Sequence, residues 1–253
     1  MNFFTLLPLA IHAAELASAE ILSVYESGDF QAEAKGDNSP LTIADKRAHR
    51  VIEKELQQTG LPLLSEEGRS IPYEERKNWD YFWLVDPLDG TKEFLKRNGE
   101  FTVNIALIHQ GAPVLGVVGI PVSGDLFYAS SGNGVKLRRG GEVRSLPAKT
   151  PCDLGQSGLR VVASRSHMNA ETEEFIGKLK DPTLVSKGSS LKFLLLVEGQ
   201  ADVYPRYAPT MEWDTAAAHA IVREAGLQVL QAGTESELSY NKPDLLNPYF
   251  IVR

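Results

Sequence analysis

Four short acidic segments hold the residues best suited to chemistry: Ser65-Glu66-Glu67-Gly68, Asp86-Pro87-Leu88-Asp89-Gly90-Thr91, Trp213-Asp214-Thr215 and Pro40-Leu41-Thr42-Ile43-Ala44-Asp45. The second is the most informative. Asp86 and Asp89 stand three positions apart across a Pro-containing turn, after an apolar run and before a short helix. Carboxylates so spaced can converge on one point, and Mg²⁺ takes hard oxygen donors completed by water and substrate phosphate. The turn also frees the Leu88 carbonyl as a further oxygen ligand. Gly90 lets the backbone approach a phosphate closely, and Thr91 opens a helix whose free N–H groups attract an anion. Glu66 follows a second apolar strand, and Asp214 stands where a helix N-cap is expected. Asp45 pairs with the Thr91 hydroxyl in this reading, so that the hydroxyl can orient a water. Each segment also has an ordinary reading: an acidic turn, a solvated Glu-Glu loop, a capping Asp214, a capped helix start.

Composition narrows the function classes. The net charge of −7, with no long basic run, argues against a nucleic-acid polymer as partner. A polyanionic substrate would have to be met by local cations. Cys152 is the only cysteine, so no internal disulfide forms and nothing points to an oxidising compartment. It reads as an inert loop thiol, and the chain as cytoplasmic. The apolar stretch from Phe3 to Ala14 lacks a preceding Lys or Arg, which disfavours a signal peptide. Leu6, Leu9, Ala13, Ala17, Ile21 and Val24 recur at helical spacing instead. The run is read as too short to span a bilayer, leaving open a weak peripheral contact with the cytoplasmic face of the inner membrane.

Helices are expected at 3–27, 42–58, 91–96, 170–179, 190–198 and 215–225, and strands at 61–64, 81–85, 101–109, 114–120, 126–129, 135–137, 160–163, 183–186, 203–205 and 227–230. A turn cluster is expected at 36–40. The Pro/Gly-containing stretch 147–158 divides a first subdomain, 1–150, from a second, 151–253. Two helices, a β-rich middle and an alternating end predict layered α and β with mixed sheets. No phosphate-binding Gly-rich loop follows a strand, which disfavours a nucleoside-triphosphate or dinucleotide fold.

The acidic segments occur in the order found in the inositol monophosphatase superfamily of Mg²⁺-dependent, lithium-sensitive phosphatases, which the chain resembles from its first helix to its end. Within that superfamily it looks most like the CysQ-type 3′(2′),5′-bisphosphate nucleotidases. The closer match rests on Trp83 to Phe94, Lys96 to Ala106, Ser164-Arg165-Ser166-His167, Gly188 to Phe193 and Tyr204-Pro205-Arg206. No motif carries over between Ser130 and Gly158. The resemblance implies a layered α-β-α-β-α sugar-phosphatase-like fold with two mixed or antiparallel sheets. It implies hydrolysis of adenosine 3′,5′-bisphosphate to AMP and phosphate, in nucleotide recycling during sulfur assimilation. It assigns Mg²⁺ to Glu66, Asp86, Asp89, Asp214 and the Leu88 carbonyl, two ions with room for a third beside Glu66. Glu66, Asp89, Thr91 and Asp45 become the catalytic groups, and the Gly90 and Thr91 amides meet the phosphate. Ser189, Lys192, Arg206 and, less firmly, Ser164 fall where the nucleotidases hold the nucleotide.

Lys192 also reads as the polar face of an apolar helix, and Arg206 offers a planar fork suited to phosphate or a base. His167 reads as structural. The nearest alternative substrates are inositol monophosphate and fructose 1,6-bisphosphate, hydrolysed by the same core. A non-catalytic metal or nucleotide sensor and a secreted hydrolase are the alternatives of other classes.

Overall fold

The computed structural model describes residues 3–34, 40–163 and 168–253. Helix α1 (Phe3–Ser27) forms where small and aliphatic residues repeat at helical spacing, and Ala10, Ala13, Ala14, Ala17, Ile21 and Val24 are all buried. Gly28, at φ 72°, ends it. A short antiparallel pair, β1 (Glu33–Ala34) and β2 (Pro40–Leu41), leads to α2 (Ile43–Leu56). Of the expected turn at 36–40, residues 36–39 lie outside the described residues.

The largest sheet takes its seven strands in sequence order: β3 (Leu63–Ser65), β4 (Tyr81–Asp89), β5 (Thr102–His109), β6 (Ala112–Ile120), β7 (Asp125–Ser130), β8 (Val135–Arg139) and β9 (Glu142–Ser145). Only β3 and β4 run parallel; the other neighbours are antiparallel. Short helices α3 (Tyr73–Arg76) and α4 (Thr91–Leu95) flank β4 in the chain. Alternation along the strands makes two apolar faces. Trp83, Val85, Val103, Ile105, Leu107, Leu115 and Val117 join the core under α1 and α2, whereas Phe82, Leu84, Ala106, Ile108, Val118 and Phe127 join the opposite core.

Beyond the sheet come β10 (Arg160–Val162), α5 (Ala170–Gly177), β11 (Thr183–Val185), α6 (Leu191–Val197), β12 (Tyr204–Arg206), α7 (Glu212–Glu224), β13 (Val229–Gln231) and β14 (Phe250–Val252). β10 and β11 pair in parallel, and β14 lies antiparallel between β12 and β13. A parallel bridge from Val161 to Val203 links the two groups into a second mixed layer. Helices α6 and α7 pack between the layers, and α5 packs on β12. The order of layers is therefore α, β, α, β, α, as the family resemblance implied.

α7 can dock because Gly116 has no side chain: a β-carbon there would stand 2.2 Å from the Ala217 carbonyl oxygen and 2.9 Å from the Ala220 β-carbon. The alanine run that opens α7 and this glycine of β6 thus bring Asp214 down onto the sheet.

Three expectations need correction. The strand β4 does not stop at Val85 but continues to Asp89, and the ladder to β5 slips between Asp86 and Asp89. Pro87 lies in that irregularity, where its missing N–H costs no ladder bond. α7 starts at Glu212, so Asp214 is its third residue and not its cap. By length and apolarity Thr5–Ser27 could cross a membrane, contrary to our reading of the run as too short, yet its Ala-rich face is packed on α2 and β6.

Candidate active site

Asp86 comes from within β4, and the other acidic residues stand at, near or just past the ends of their elements. Glu66 follows β3, and its N–H donates to the Val85 carbonyl at 3.1 Å, which sets it beside the residue preceding Asp86. Asp86 is buried in β4, and its Oδ1 accepts from the Leu88 N–H at 3.0 Å. Asp214 Oδ2 accepts from the Met211 N–H at 2.8 Å, so one carboxylate oxygen fastens the start of α7. Asp45 performs the same service for α2, its Oδ2 accepting from the Thr42 N–H at 2.7 Å and from the Thr42 hydroxyl at 2.6 Å. In both helices an N3 aspartate secures the helix entry with one oxygen.

Glu66, Asp86 and Asp214 each bring a carboxylate oxygen to within 4.8 Å of the other two. Asp89 stands beside this trio, and its charge acts on both buried aspartates. Its Oδ2 accepts from the Ser189 hydroxyl at 2.5 Å and the Ser190 N–H at 2.7 Å. Ser189 and Ser190 in turn share hydrogen bonds with Thr102 Oγ1 at 2.7 and 2.8 Å, and Ser190 donates to Asn104 Oδ1 at 2.9 Å. This tray of hydroxyls and amide was missed from the sequence, apart from Ser189. A signal was present: Thr102 and Asn104 are buried polar residues, two apart, in a strand that is otherwise apolar up to its last residue, His109.

The cluster is electrostatically frustrated. Burial, and then the charges of Glu66, Asp89 and Asp214, push the Asp86 carboxyl well above the usual carboxylate range. Burial first, and the Asp89 charge next, push Asp214 up to about 8. Glu66, Asp86 and Asp214 offer oxygen donors only, with the Asp89 charge beside them, and a divalent cation would relieve their mutual repulsion, so the residues fit a hard metal ion.

A stability consequence follows. In metal-free protein Asp214 keeps a proton that the unfolded chain releases near pH 4. A raised carboxylate pKa contributes stability that is lost as pH rises through the folded value. The melting temperature in chelator should therefore rise between about pH 8.5 and about pH 7, a window above ordinary histidine titration. Saturating Mg²⁺ should flatten that slope, because cations replace the proton. Equal melting at both pH values in chelator would contradict a retained proton.

Thr91 Oγ1 lies 3.3 Å from Asp45 Oδ1 and 3.3 Å from the Leu88 carbonyl. Gly90 precedes it at φ 92°, and a β-carbon there would meet the Glu100 carbonyl oxygen at 3.1 Å and the Ser189 β-carbon at 3.3 Å. Only glycine suits both that backbone conformation and that closeness.

Beside the cluster is a cavity of about 400 Å³ whose lining includes Asp89, Gly90, Ser189 and Asp214 together with Lys192 and Arg206. Lys192 Nζ donates to the Ser189 carbonyl at 3.0 Å. Arg206 donates from Nη2 to the Pro209 carbonyl at 3.1 Å, while its Nε is buried with no partner among the described residues. Lys187, which the sequence reading overlooked, also lines the cavity and lies 3.4 Å from Glu100 Oε1. Ser164 and His167 fall outside the described residues. Burial pushes the Cys152 thiol upward, which suits an inert role.

An acidic cluster around the buried Asp86, beside a cavity that lysines and an arginine line, is the arrangement of a metal-dependent phosphatase. The chain belongs to the inositol monophosphatase family, whose model matches residues 5–252; that family is metal-dependent. Among curated relatives, the 3′(2′),5′-bisphosphate nucleotidase CysQ of Salmonella typhimurium is 45% identical, over 94% of this chain and 96% of the relative. The protein of that name from Escherichia coli K12 is 44% identical over the same shares. The crystal structure of CysQ from Bacteroides thetaiotaomicron, a bacterial member of the inositol monophosphatase family, superposes with a TM-score of 0.88 at 48% identity, covering 99% of this chain and 98% of that one.

Proposed function

We propose that the chain is a Mg²⁺-dependent phosphomonoesterase that converts adenosine 3′,5′-bisphosphate to AMP and phosphate. The observation that carries this reading is the convergence of Glu66, Asp86 and Asp214, with Asp89 beside them, at a cavity of about 400 Å³ that Lys187, Lys192 and Arg206 also line. Carboxylates alone repel a phosphate ester, whereas carboxylates that gather cations, facing further cations, suit a substrate with two separated phosphates. The names of the nearly full-length relatives point to the same substrate class.

In this reading Glu66, Asp86, Asp89, Asp214 and the Leu88 carbonyl would hold two Mg²⁺ ions, with room for a third beside Glu66. When bound, such ions supply Lewis-acid charge and ease deprotonation of water. The chain's own groups do the rest. Thr91 Oγ1 faces two acceptors at 3.3 Å, Asp45 Oδ1 and the Leu88 carbonyl; with that carbonyl given to a cation, the O–H turns to Asp45 and the oxygen lone pairs remain to accept a hydrogen bond from the attacking water. The Gly90 and Thr91 amides meet the phosphate. The Ser189 hydroxyl, committed to Asp89, acts on that ligand's orientation, and Ser189 lines the cavity where the nucleotide lies. Lys192 and Arg206 receive the second phosphate or the base; Ser164, which the resemblance adds to them, lies outside the described residues. The nucleophile is water, and no phospho-enzyme is formed. A small substrate and a single half-buried thiol fit action in the cytoplasm.

The test is phosphate release from adenosine 3′,5′-bisphosphate and inositol 1-phosphate, side by side in millimolar Mg²⁺. The nucleotide should be favoured in kcat/KM by roughly ten- to a hundredfold, the worth of a charged hydrogen bond to the second phosphate. Chelator should abolish both activities. Preference for inositol 1-phosphate would overturn the substrate, and release from neither would overturn the enzyme.

A further inference from the structure

We propose that His49 is a positioning residue that holds the Glu66 turn in register with the helix that also grips Thr91. This rests on the reading of Glu66 as a Mg²⁺ ligand. His49 and Asp45 are four residues apart on α2, hence on one face. Asp45 Oδ1 reaches the Thr91 hydroxyl at 3.3 Å. One turn further on, His49 Nδ1 shares a hydrogen bond with Ser65 Oγ at 3.0 Å, and Ser65 is only 6% exposed. Glu53 Oε2, 4.0 Å from His49 Nε2, favours the ring proton on that nitrogen. That tautomer leaves Nδ1 to accept from the Ser65 hydroxyl.

The turn is built tightly on the imidazole. Gly68 N–H donates to the Ser65 carbonyl at 3.1 Å. A β-carbon on Gly68 would lie 3.6 Å from His49 Cε1. Behind the turn is a cavity of about 520 Å³, lined by His49, Ser65, Gly68, Arg69 and Trp79 among others. The His49–Ser65 bond restrains, on the side facing this open pocket, the segment that carries Glu66. One face of α2 thus fixes both the Thr91 hydroxyl and the turn that carries Glu66.

The test is calorimetric titration of the full chain with Mg²⁺ and no substrate. His49→Ala and Ser65→Ala should each weaken Mg²⁺ binding roughly tenfold, the usual effect of losing a group that orients a metal ligand. The double variant should bind no more weakly than either single one, because both changes delete one bond. His49→Asn, whose amide can occupy the Nδ1 position, should recover binding to within about threefold of the unaltered chain. Should His49→Ala fail to fold, Ser65→Ala carries the test, since it removes only a hydroxyl. Unchanged affinity in the single variants, losses that multiply in the double, or no recovery in His49→Asn would overturn the positioning role. Absence of Mg²⁺ binding by the unaltered chain would instead overturn the metal reading beneath it.

Discussion

Asp86→Asn will nearly abolish phosphate release and, in chelator, raise the melting temperature. Both effects come from one position. Asp86 is 2% exposed and crowded by Glu66, Asp89 and Asp214, so its charged form is disfavoured in the metal-free fold. Asparagine keeps the oxygen that accepts from the Leu88 N–H and deletes only the charge. At about pH 8.5, where the buried carboxyl is most costly, the variant should melt a few degrees higher. A chain of this size moves roughly 2–4 °C per kcal/mol. Activity should fall at least about a thousandfold, or about 4 kcal/mol of transition-state stabilisation, on the scale of a lost metal-ion contribution. Opposite signs for stability and activity mark a site built for a ligand and not for the fold. Retention of a tenth of the activity, or a lower melting temperature in chelator, would remove Asp86 from the proposed centre.

The second large effect lies away from the site. Gly116→Ala should cost about 3 kcal/mol, at the upper end of overpacking penalties. That corresponds to a melting temperature lower by roughly 6–12 °C. The reason is that the new β-carbon meets the Ala217 carbonyl oxygen at 2.2 Å, and backbone cannot step aside as a side-chain tip can. For the same reason Ala217→Gly should not rescue it. Activity should fall as well, because α7 carries Asp214 near its start. Gly119→Ala, on the same strand, is the control. Its β-carbon would meet the Ser18 hydroxyl at 3.3 Å, a contact a serine rotamer can relieve. Near-equal melting of the two variants would mean that α7 is not seated as described.

Much of the fold was legible because it follows from periodicity. α1 spans the residues expected, since its Ala-rich stripe has only one helical solution. β5 to β8 fell close to their apolar runs. The elements overlooked are short or lack a pattern. α3 has four residues, β9 is exposed at all four positions, and β14 has three residues that become a strand only by lying between β12 and β13. Helix entry was misjudged at α7 because an aspartate can serve as N-cap or as N3, and Met211, with no capping side chain, offers no local signal.

The sequence alone determined the types of chemistry available: four carboxylates, a threonine with an aspartate to pair with it, glycines for close approach, and the layered class of fold. Those are properties of residue type and short spacing. It could not decide that Glu66, Asp86 and Asp214 meet within 4.8 Å, or that Asp89 is steadied by the hydroxyls and amides of Thr102, Asn104, Ser189 and Ser190. These depend on strand register and on how closely α7 approaches β6 through Gly116. Both are settled by packing between segments far apart in the chain, where hydrophobic burial is large enough to hold four acidic side chains together.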